Sequence, residues 1–323
     1  MTLILSALGR GGLLMVGDRR LTTAAPTQGG GSSEPQIFDE LANKAGIFYA
    51  RDGLLTLGYT GLAYIDGCPT DEWIARQLDP QLEADGGWHG LLRTGGTGRR
   101  ESMGRCLVRL ADAMEERLPR QLVRDQDRSL TIDVAGFAWK QRTGRVRPTF
   151  WRIEHSGRVG EESICRVKPR YWGWERGDVL FSAIGAGHRT ACRTLQEKWL
   201  EDAPMSTLAA EELAVTVLRE CSDASGGLIG RDCVAVFIVR GGPTTVHYYP
   251  DDRGPHGDVD GFDVYSPWFI QSGGGAFAPA VMTGSVPPDM ILGLVTVRVE
   301  RPGTAPPPAG IATAGKQPRR QWP

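Results

Sequence analysis

The chain has 323 residues, enough for one large domain or two ordinary ones, and carries 37 basic against 38 acidic residues for a net charge of −1. That balance gives no electrostatic reason to expect nucleic acid or an anionic membrane as a partner, and no apolar run approaches the roughly 20 residues that span a bilayer. The six cysteines (Cys68, Cys106, Cys165, Cys192, Cys221, Cys233) form no CxxC pair and the five histidines no HxxxH or CxxH cluster, so neither a zinc signature nor a disulfide framework is present. Single scattered thiols fit a reducing cytoplasm, and no metal or organic cofactor is expected. The opening ten residues lack the basic start and small-residue cleavage site of a signal peptide, which implies a soluble, cytoplasmic chain.

In chain order, Thr2–Leu8 is apolar and β-rich, Gly9–Gly12 is a turn and Leu13–Val16 a second apolar run, which together predict a hairpin. Thr23–Glu34 is a Gly/Ser/Thr/Ala loop. A second hairpin is predicted from Lys44–Tyr49 and Leu54–Tyr59 across Arg51-Asp52-Gly53. Pro69 and Thr70 precede a helix over Asp71–Leu78 with acids in its first turn. Asp79–Arg100 is polar, Gly-rich and read as an exposed insertion. Glu101–Leu118 is an amphipathic helix, its apolar residues Met103, Leu107, Leu110, Ala111, Met114 and Leu118 recurring at three- and four-residue spacing. Strands are predicted at Leu130–Trp139, Arg147–Glu154, Ser163–Val167 and Val179–Ile184. Helices follow at His188–Leu200 and at Ser206–Cys221, the latter with Ser206 as N-cap. Asp232–Val239 and Thr244–Tyr249 close with a hairpin across Gly241-Gly242.

Beyond residue 250 only Met290–Val299 reads as a strand, and 301–323 as a disordered, Pro/Gly/Ala-rich and basic tail. The expected division is a domain over 2–250, an extension over 251–300 and the tail. Strand sets separated by paired helices imply two stacked sheets flanked by helices on both outer faces, rather than the βαβ alternation of a doubly wound parallel sheet.

Thr2 carries the first chemical signal. Its small side chain makes Met1 removable, and a free N-terminal Thr holds a hydroxyl beside a primary amine with an ordinary pKa of about 7.7–8.0. Such an amine activates its own hydroxyl without a histidine. Taken alone, Thr2 reads first as a β-former at a strand start.

The surrounding pattern resembles a known family. "TLILSAL", "GRGG" and "LLMVGDRRLT" are similar to the opening of proteasome β subunits and their bacterial proteasome-like relatives, which are N-terminal-nucleophile hydrolases. Asp18 falls 16 positions after Thr2, as the family's acid does, and Arg20 on the basic position two residues later. Lys44 matches the lysine whose charge lowers the Thr hydroxyl and amine pKa values. It stands further from Thr2 than is usual, and the loop at Thr23–Glu34 accounts for the excess. "LGYTGLAYIDG" resembles the Gly-x-Ala-Gly-Gly segment, with Gly61 as the oxyanion-hole amide and Leu62 in place of the second Gly. "FSAIGAG" (Phe181–Gly187) and "DASGGLIGRDCVAVFIVRGG" resemble two C-terminal segments of the family. In them Ser225 is retained, while Ala186 and Ser222 replace a Ser and an Asp.

The resemblance covers roughly residues 2–250. It implies an α/β four-layer αββα sandwich and a threonine-type peptidase or amide hydrolase. Thr2 would be the nucleophile and its amine the base, with Lys44 tuning, Asp18 orienting Lys44, Gly61 holding the oxyanion and Ser225 supporting the site. It also implies a peptide or protein substrate, a homo-oligomeric ring and, as a candidate partner, an ATP-dependent unfoldase. The alternative is a catalytically inactive assembly or binding protein of the same fold, which the changes at Ala186 and Ser222 favour. Gly185-Ala186-Gly187 mimics a dinucleotide-binding turn, but the parallel strand ending in an acid that this fingerprint needs is absent. No GxSxG supports a Ser/His/Asp site.

Overall fold

The structure is a computed structural model describing residues 2–23, 36–39, 42, 44–79, 100–118, 129–140, 143–156, 164–170, 179–202, 206–242, 244–249, 251, 262–265, 268–271, 275–277, 281–284 and 292–297. The loop expected within 24–35, most of the insertion at 80–99 and the tail after 300 lie outside the described residues.

Strands β1 (Leu3–Leu8) and β2 (Gly12–Asp18) form the expected first hairpin, and β3 (Leu21–Thr23) pairs with β4 (Gln36–Asp39). The second hairpin is β5 (Ala45–Ala50) with β6 (Gly53–Gly61), followed by the short pair β7 (Tyr64–Ile65) and β8 (Cys68–Pro69). Helices α1 (Thr70–Leu78) and α2 (Met103–Arg117) precede β9 (Leu130–Trp139), β10 (Val146–Ser156), β11 (Ile164–Arg170) and β12 (Leu180–Gly185). Helices α3 (His188–Asp202) and α4 (Thr207–Ala224) then lead into the hairpin β13 (Cys233–Val239) and β14 (Thr244–Tyr249).

One strand is predicted past residue 250; the described residues there form five, β15 (Phe262–Tyr265), β16 (Trp268–Gln271), β17 (Gly275–Phe277), β18 (Val281–Gly284) and β19 (Leu292–Val297). The four unforeseen strands are three or four residues long and set among Gly and Pro. They are too short for a period-2 pattern to register; β15 pairs with β18 and β17 with β16, and only β16 among them is set against a distant strand, β5.

The chain is thus a mixed α/β protein with antiparallel sheets. One sheet has the order β12-β1-β2-β13-β14-β19 and the other β11-β10-β9-β6-β5-β16-β17, and among the described pairings only β5–β16 is parallel. Alternation along the strands assigns side chains to faces. Ile4, Leu8 and Met15 of the first sheet join Ile47, Leu54, Phe137 and Phe150 of the second in a cluster without helical residues, so these faces meet each other. The opposite face of the first sheet, with Leu3, Leu5 and Val16, packs on Ala191 and Leu195 of α3 and Ala214 and Leu218 of α4. On the second sheet, Phe48, Leu57 and Ile132 pack on Ile74 of α1 and on Leu107, Leu110 and Met114 of α2. Burial on both faces explains why β1 and β2 read as continuous apolar runs. β12 is antiparallel to β1 and followed by two helices, the opposite of a dinucleotide-binding βαβ unit.

Helix ends are closed by side chains, one from the helix's own cap and others from neighbouring elements. The Ser206 hydroxyl accepts from Ala209 N–H at 3.1 Å at the start of α4. Met103 N–H at the start of α2 instead donates to Asp52 Oδ1 in the β5–β6 turn at 2.7 Å. From inside α2, the Arg109 guanidinium donates to the carbonyls of Gln77 and Leu78 that end α1, at 2.8 and 3.0 Å. Among the described residues no helix is long and apolar enough to cross a membrane.

Several thiols and phenols, buried or half-buried, are held neutral. Burial first, then the Glu72 carboxylate, pushes the Cys68 thiol up to about 12. Burial likewise raises Cys106 to about 12, with Arg109 opposing and Glu101 reinforcing, and it raises Cys233, Tyr248 and Tyr249 further. In the unfolded chain these groups ionise from about pH 8.5 for thiols and about pH 10 for phenols. Their contribution is therefore complete below about pH 8.5 and is lost as pH rises toward the folded values. Between pH 8 and pH 10.5 the unfolding free energy, followed by urea titration, is expected to fall by at least roughly 2 kcal/mol; a flat profile would contradict these assignments.

Candidate active site

Asp18 ends β2 and is fully buried, so its carboxylate must be satisfied from within the protein. Four donors do so. Leu3 N–H donates to Oδ1 at 2.9 Å, and Arg20 N–H, Gly230 N–H and Lys44 Nζ donate to Oδ2 at 3.2, 3.0 and 3.0 Å. Lys44, also fully buried, donates as well to the carbonyl of Arg20. Its own carbonyl accepts from Tyr59 N–H at 3.1 Å, which ties the residue ahead of β5 to the second sheet while its side chain reaches the first. The ammonium and carboxylate thus neutralise each other where the two sheets meet, one carboxylate away from the Thr2–Leu3 peptide.

Thr2 is 5% exposed. Its carbonyl accepts from Ala186 N–H at 2.8 Å, and the next amide, Leu3 N–H, is the one on Asp18, so the Thr2–Leu3 peptide is gripped from both sides. The β12 side of this grip requires glycine. Gly185 has φ +102, and a Cβ there would stand 1.8 Å from the Thr2 carbonyl oxygen. The same point lies 3.2 Å from Thr60 Oγ1, so Thr60 of β6 faces this corner from the opposite sheet.

Gly61 ends β6 opposite Leu130 with φ +120, and a Cβ on it would lie 2.1 Å from the Ser129 carbonyl oxygen. Alternate amides of a strand point the same way. Tyr59 N–H reaches the Lys44 carbonyl and Leu62 N–H the Ser129 carbonyl at 3.2 Å, so Gly61 N–H is directed to the Lys44 side.

Ser225 follows the last turn of α4. Its hydroxyl donates to the Ser222 carbonyl at 2.7 Å and accepts from Ile229 N–H at 3.1 Å, while the Ser222 hydroxyl donates to the Ile229 carbonyl at 2.8 Å. These bonds close the turn that delivers Gly230 N–H to Asp18, and the Arg20 guanidinium fixes the same turn by donating to Gly227 O at 3.1 Å.

Of the five residues singled out in the sequence, Asp18 and Lys44 are in direct contact and Asp18 reaches the amide that follows Thr2. Gly61 closes the neighbouring strand, and Ser225 is joined to Asp18 through its turn. Sequence reasoning passed over Thr60, Gly185 as the glycine beneath Thr2, and Gly230 as a donor. The one available signal was the Gly-rich run around each of the two glycines. Among the described residues, no group of three or more His, Cys, Asp or Glu side chains is arranged to hold a metal ion.

No known family profile matches the sequence, and no curated protein matches it. Solved structures do show similarity. A Gly-1 mutant of Anbu from Hyphomicrobium sp. strain MC1 is 13% identical with a TM-score of 0.41, covering 74% of this chain and 83% of that one. Anbu from Yersinia bercovieri, described as an ancestral β-subunit, is 11% identical with a TM-score of 0.41, covering 73% and 81%.

Proposed function

We propose that the chain is a threonine-type amide hydrolase of the proteasome β-subunit kind, built as an αββα sandwich and acting on peptides. The observation that carries the reading is the fully buried Asp18–Lys44 pair set against the peptide bond that follows Thr2. A buried lysine and aspartate are expensive to keep. A pair at this position, at the residue that becomes N-terminal when Met1 is removed, has a chemical use that a merely structural pair elsewhere would lack.

In this reading the free Thr2 amine takes the proton of its own hydroxyl, directly or through one water. The oxygen then attacks the substrate carbonyl carbon. The Lys44 charge, held in place by Asp18, favours the alkoxide, and Gly61 N–H stabilises the oxyanion of the tetrahedral intermediate. Collapse breaks the C–N bond, with the Thr2 ammonium returning its proton to the leaving amine. Water then hydrolyses the Thr2 ester by the same route in reverse. Assembly into a homo-oligomeric ring and service to an ATP-dependent unfoldase belong to the same proposal.

A second reading, a catalytically silent protein of this fold, is favoured by Ala186. Its amide holds the Thr2 carbonyl, but its methyl offers nothing to the amine. Intact mass and covalent labelling separate the two. The hydrolase is expected to have lost Met1 and to take up one epoxyketone or β-lactone probe per chain on Thr2. Retention of Met1 leaves the Thr2 nitrogen an amide and rules the hydrolase out.

A further inference from the structure

A second buried polar cluster lies between the two sheets. Asp133 of β9 stands directly across from Arg152 of β10, and the guanidinium grips the carboxylate with Nε on Oδ1 at 2.6 Å and Nη2 on Oδ2 at 2.9 Å. Ser182, which comes from β12 in the other sheet, donates its hydroxyl to Asp133 Oδ2 at 2.7 Å and accepts from Arg152 Nη2 at 2.9 Å. Arg152 Nη2 also lies 3.4 Å from the Ala183 carbonyl oxygen. Asp133 and Ser182 are buried, and the Arg152 side chain is 15% exposed. Burial alone would lower the proton affinity of the guanidinium. The hydrogen bonds and charge of Asp133 outweigh it and hold Arg152 above its ordinary value.

The location of this triad matters more than its strength. Among the described residues β12 ends its sheet's strand order and has β1 as its only strand partner there. Its last residue, Gly185, and the Ala186 amide beyond it form the grip on the Thr2 carbonyl. The triad fastens this edge strand across the gap to two inner strands of the opposite sheet. On the β1 side it has a near neighbour, because Asp133 lies opposite Gly58, where a Cβ would stand 2.8 Å from Ile4 Cγ2. Ile4 is two residues from Thr2.

We infer that Asp133, Arg152 and Ser182 are positioning residues that fix β12, and through Gly185 and Ala186 the placement of Thr2, relative to Lys44 and Gly61 on the other sheet. The inference rests on the hydrolase reading for its catalytic meaning but not for its structural test. Ser182→Ala removes the two hydroxyl bonds between the sheets, leaving the longer Arg152–Ala183 carbonyl contact and the Asp133–Arg152 pair, so the chain keeps its buried charges matched. Hydrogen exchange by mass spectrometry is expected to show exchange about tenfold faster in peptides covering 181–190 and 2–8. Ser206→Ala, which removes the α4 N-cap bond, should leave both peptides unchanged, and Ser182→Thr should restore protection. With an amide substrate, Ser182→Ala is expected to lower kcat about tenfold with KM within twofold. Unchanged exchange at 181–190, or an equal response to Ser206→Ala, overturns the inference whether or not the chain turns over substrate. An inert wild-type chain with the exchange response intact sinks the hydrolase reading alone.

Discussion

Replacing Lys44 by methionine is expected to lower the folding free energy by roughly 3–5 kcal/mol. Methionine fills a similar volume, so the loss is chiefly electrostatic. The fully buried Asp18 carboxylate would keep its three backbone donors but lose the cation that balances it. Asp18→Asn is expected to be similarly damaging, since an amide nitrogen placed at either carboxylate position faces an N–H or the ammonium. The double change removes both charges and should recover a measurable part of the loss, a coupling of roughly 1–3 kcal/mol. Urea unfolding of the four chains at pH 7 reads these values directly. A Lys44→Met loss below about 1 kcal/mol would mean that the pair is open to water and unable to tune a neighbouring nucleophile. Turnover, where the fold survives, is expected to drop by roughly 10²–10³-fold, the range for removal of one preorganised electrostatic contact.

The second large effect is chemical. Thr2→Ala is expected to reduce probe labelling and amide turnover to background while changing stability by less than about 1 kcal/mol. The fold holds this residue by its carbonyl on Ala186 N–H and by the following amide on Asp18, and both survive the change. Thr2→Ser keeps the hydroxyl and the removable Met1, so labelling should persist at a rate lower by roughly tenfold or less. Labelling of the alanine chain, or silence of the serine chain alongside an active wild type, would each remove Thr2 from the nucleophile's role.

Much of the frame was legible because it is written in local signals. A run such as Leu3–Leu8, apolar at nearly every position, belongs to a strand covered on both faces, and Ser206 ahead of a periodic apolar stretch marks a helix start. The pairing of Asp18 with Lys44 was legible through the resemblance, which supplied the partner that spacing alone could not. What stayed hidden depends on contacts between distant segments. Ser182 reads as an ordinary strand residue until β12 lies over Asp133, and Gly185 looks like any turn glycine until the Thr2 carbonyl stands where its Cβ would be. Ser225 was assigned to the chemistry because of its place in a motif, whereas its hydrogen bonds shape the turn that serves Asp18.

β16 lies beside β5 and β19 beside β14, so strands from beyond residue 250 extend both sheets. During synthesis, a nascent chain that has reached β14 still lacks the strands that complete either sheet. At ordinary translation speeds the missing segment takes roughly 2–10 s to appear. Over that interval β5 and β14 expose unpaired backbone edges, the kind of surface that recruits holdase chaperones or neighbouring nascent chains. Completion then rests on non-local contacts such as Gly46 with Trp268, which favours slow final consolidation. Premature termination near residue 250 should therefore yield insoluble product rather than a smaller working domain.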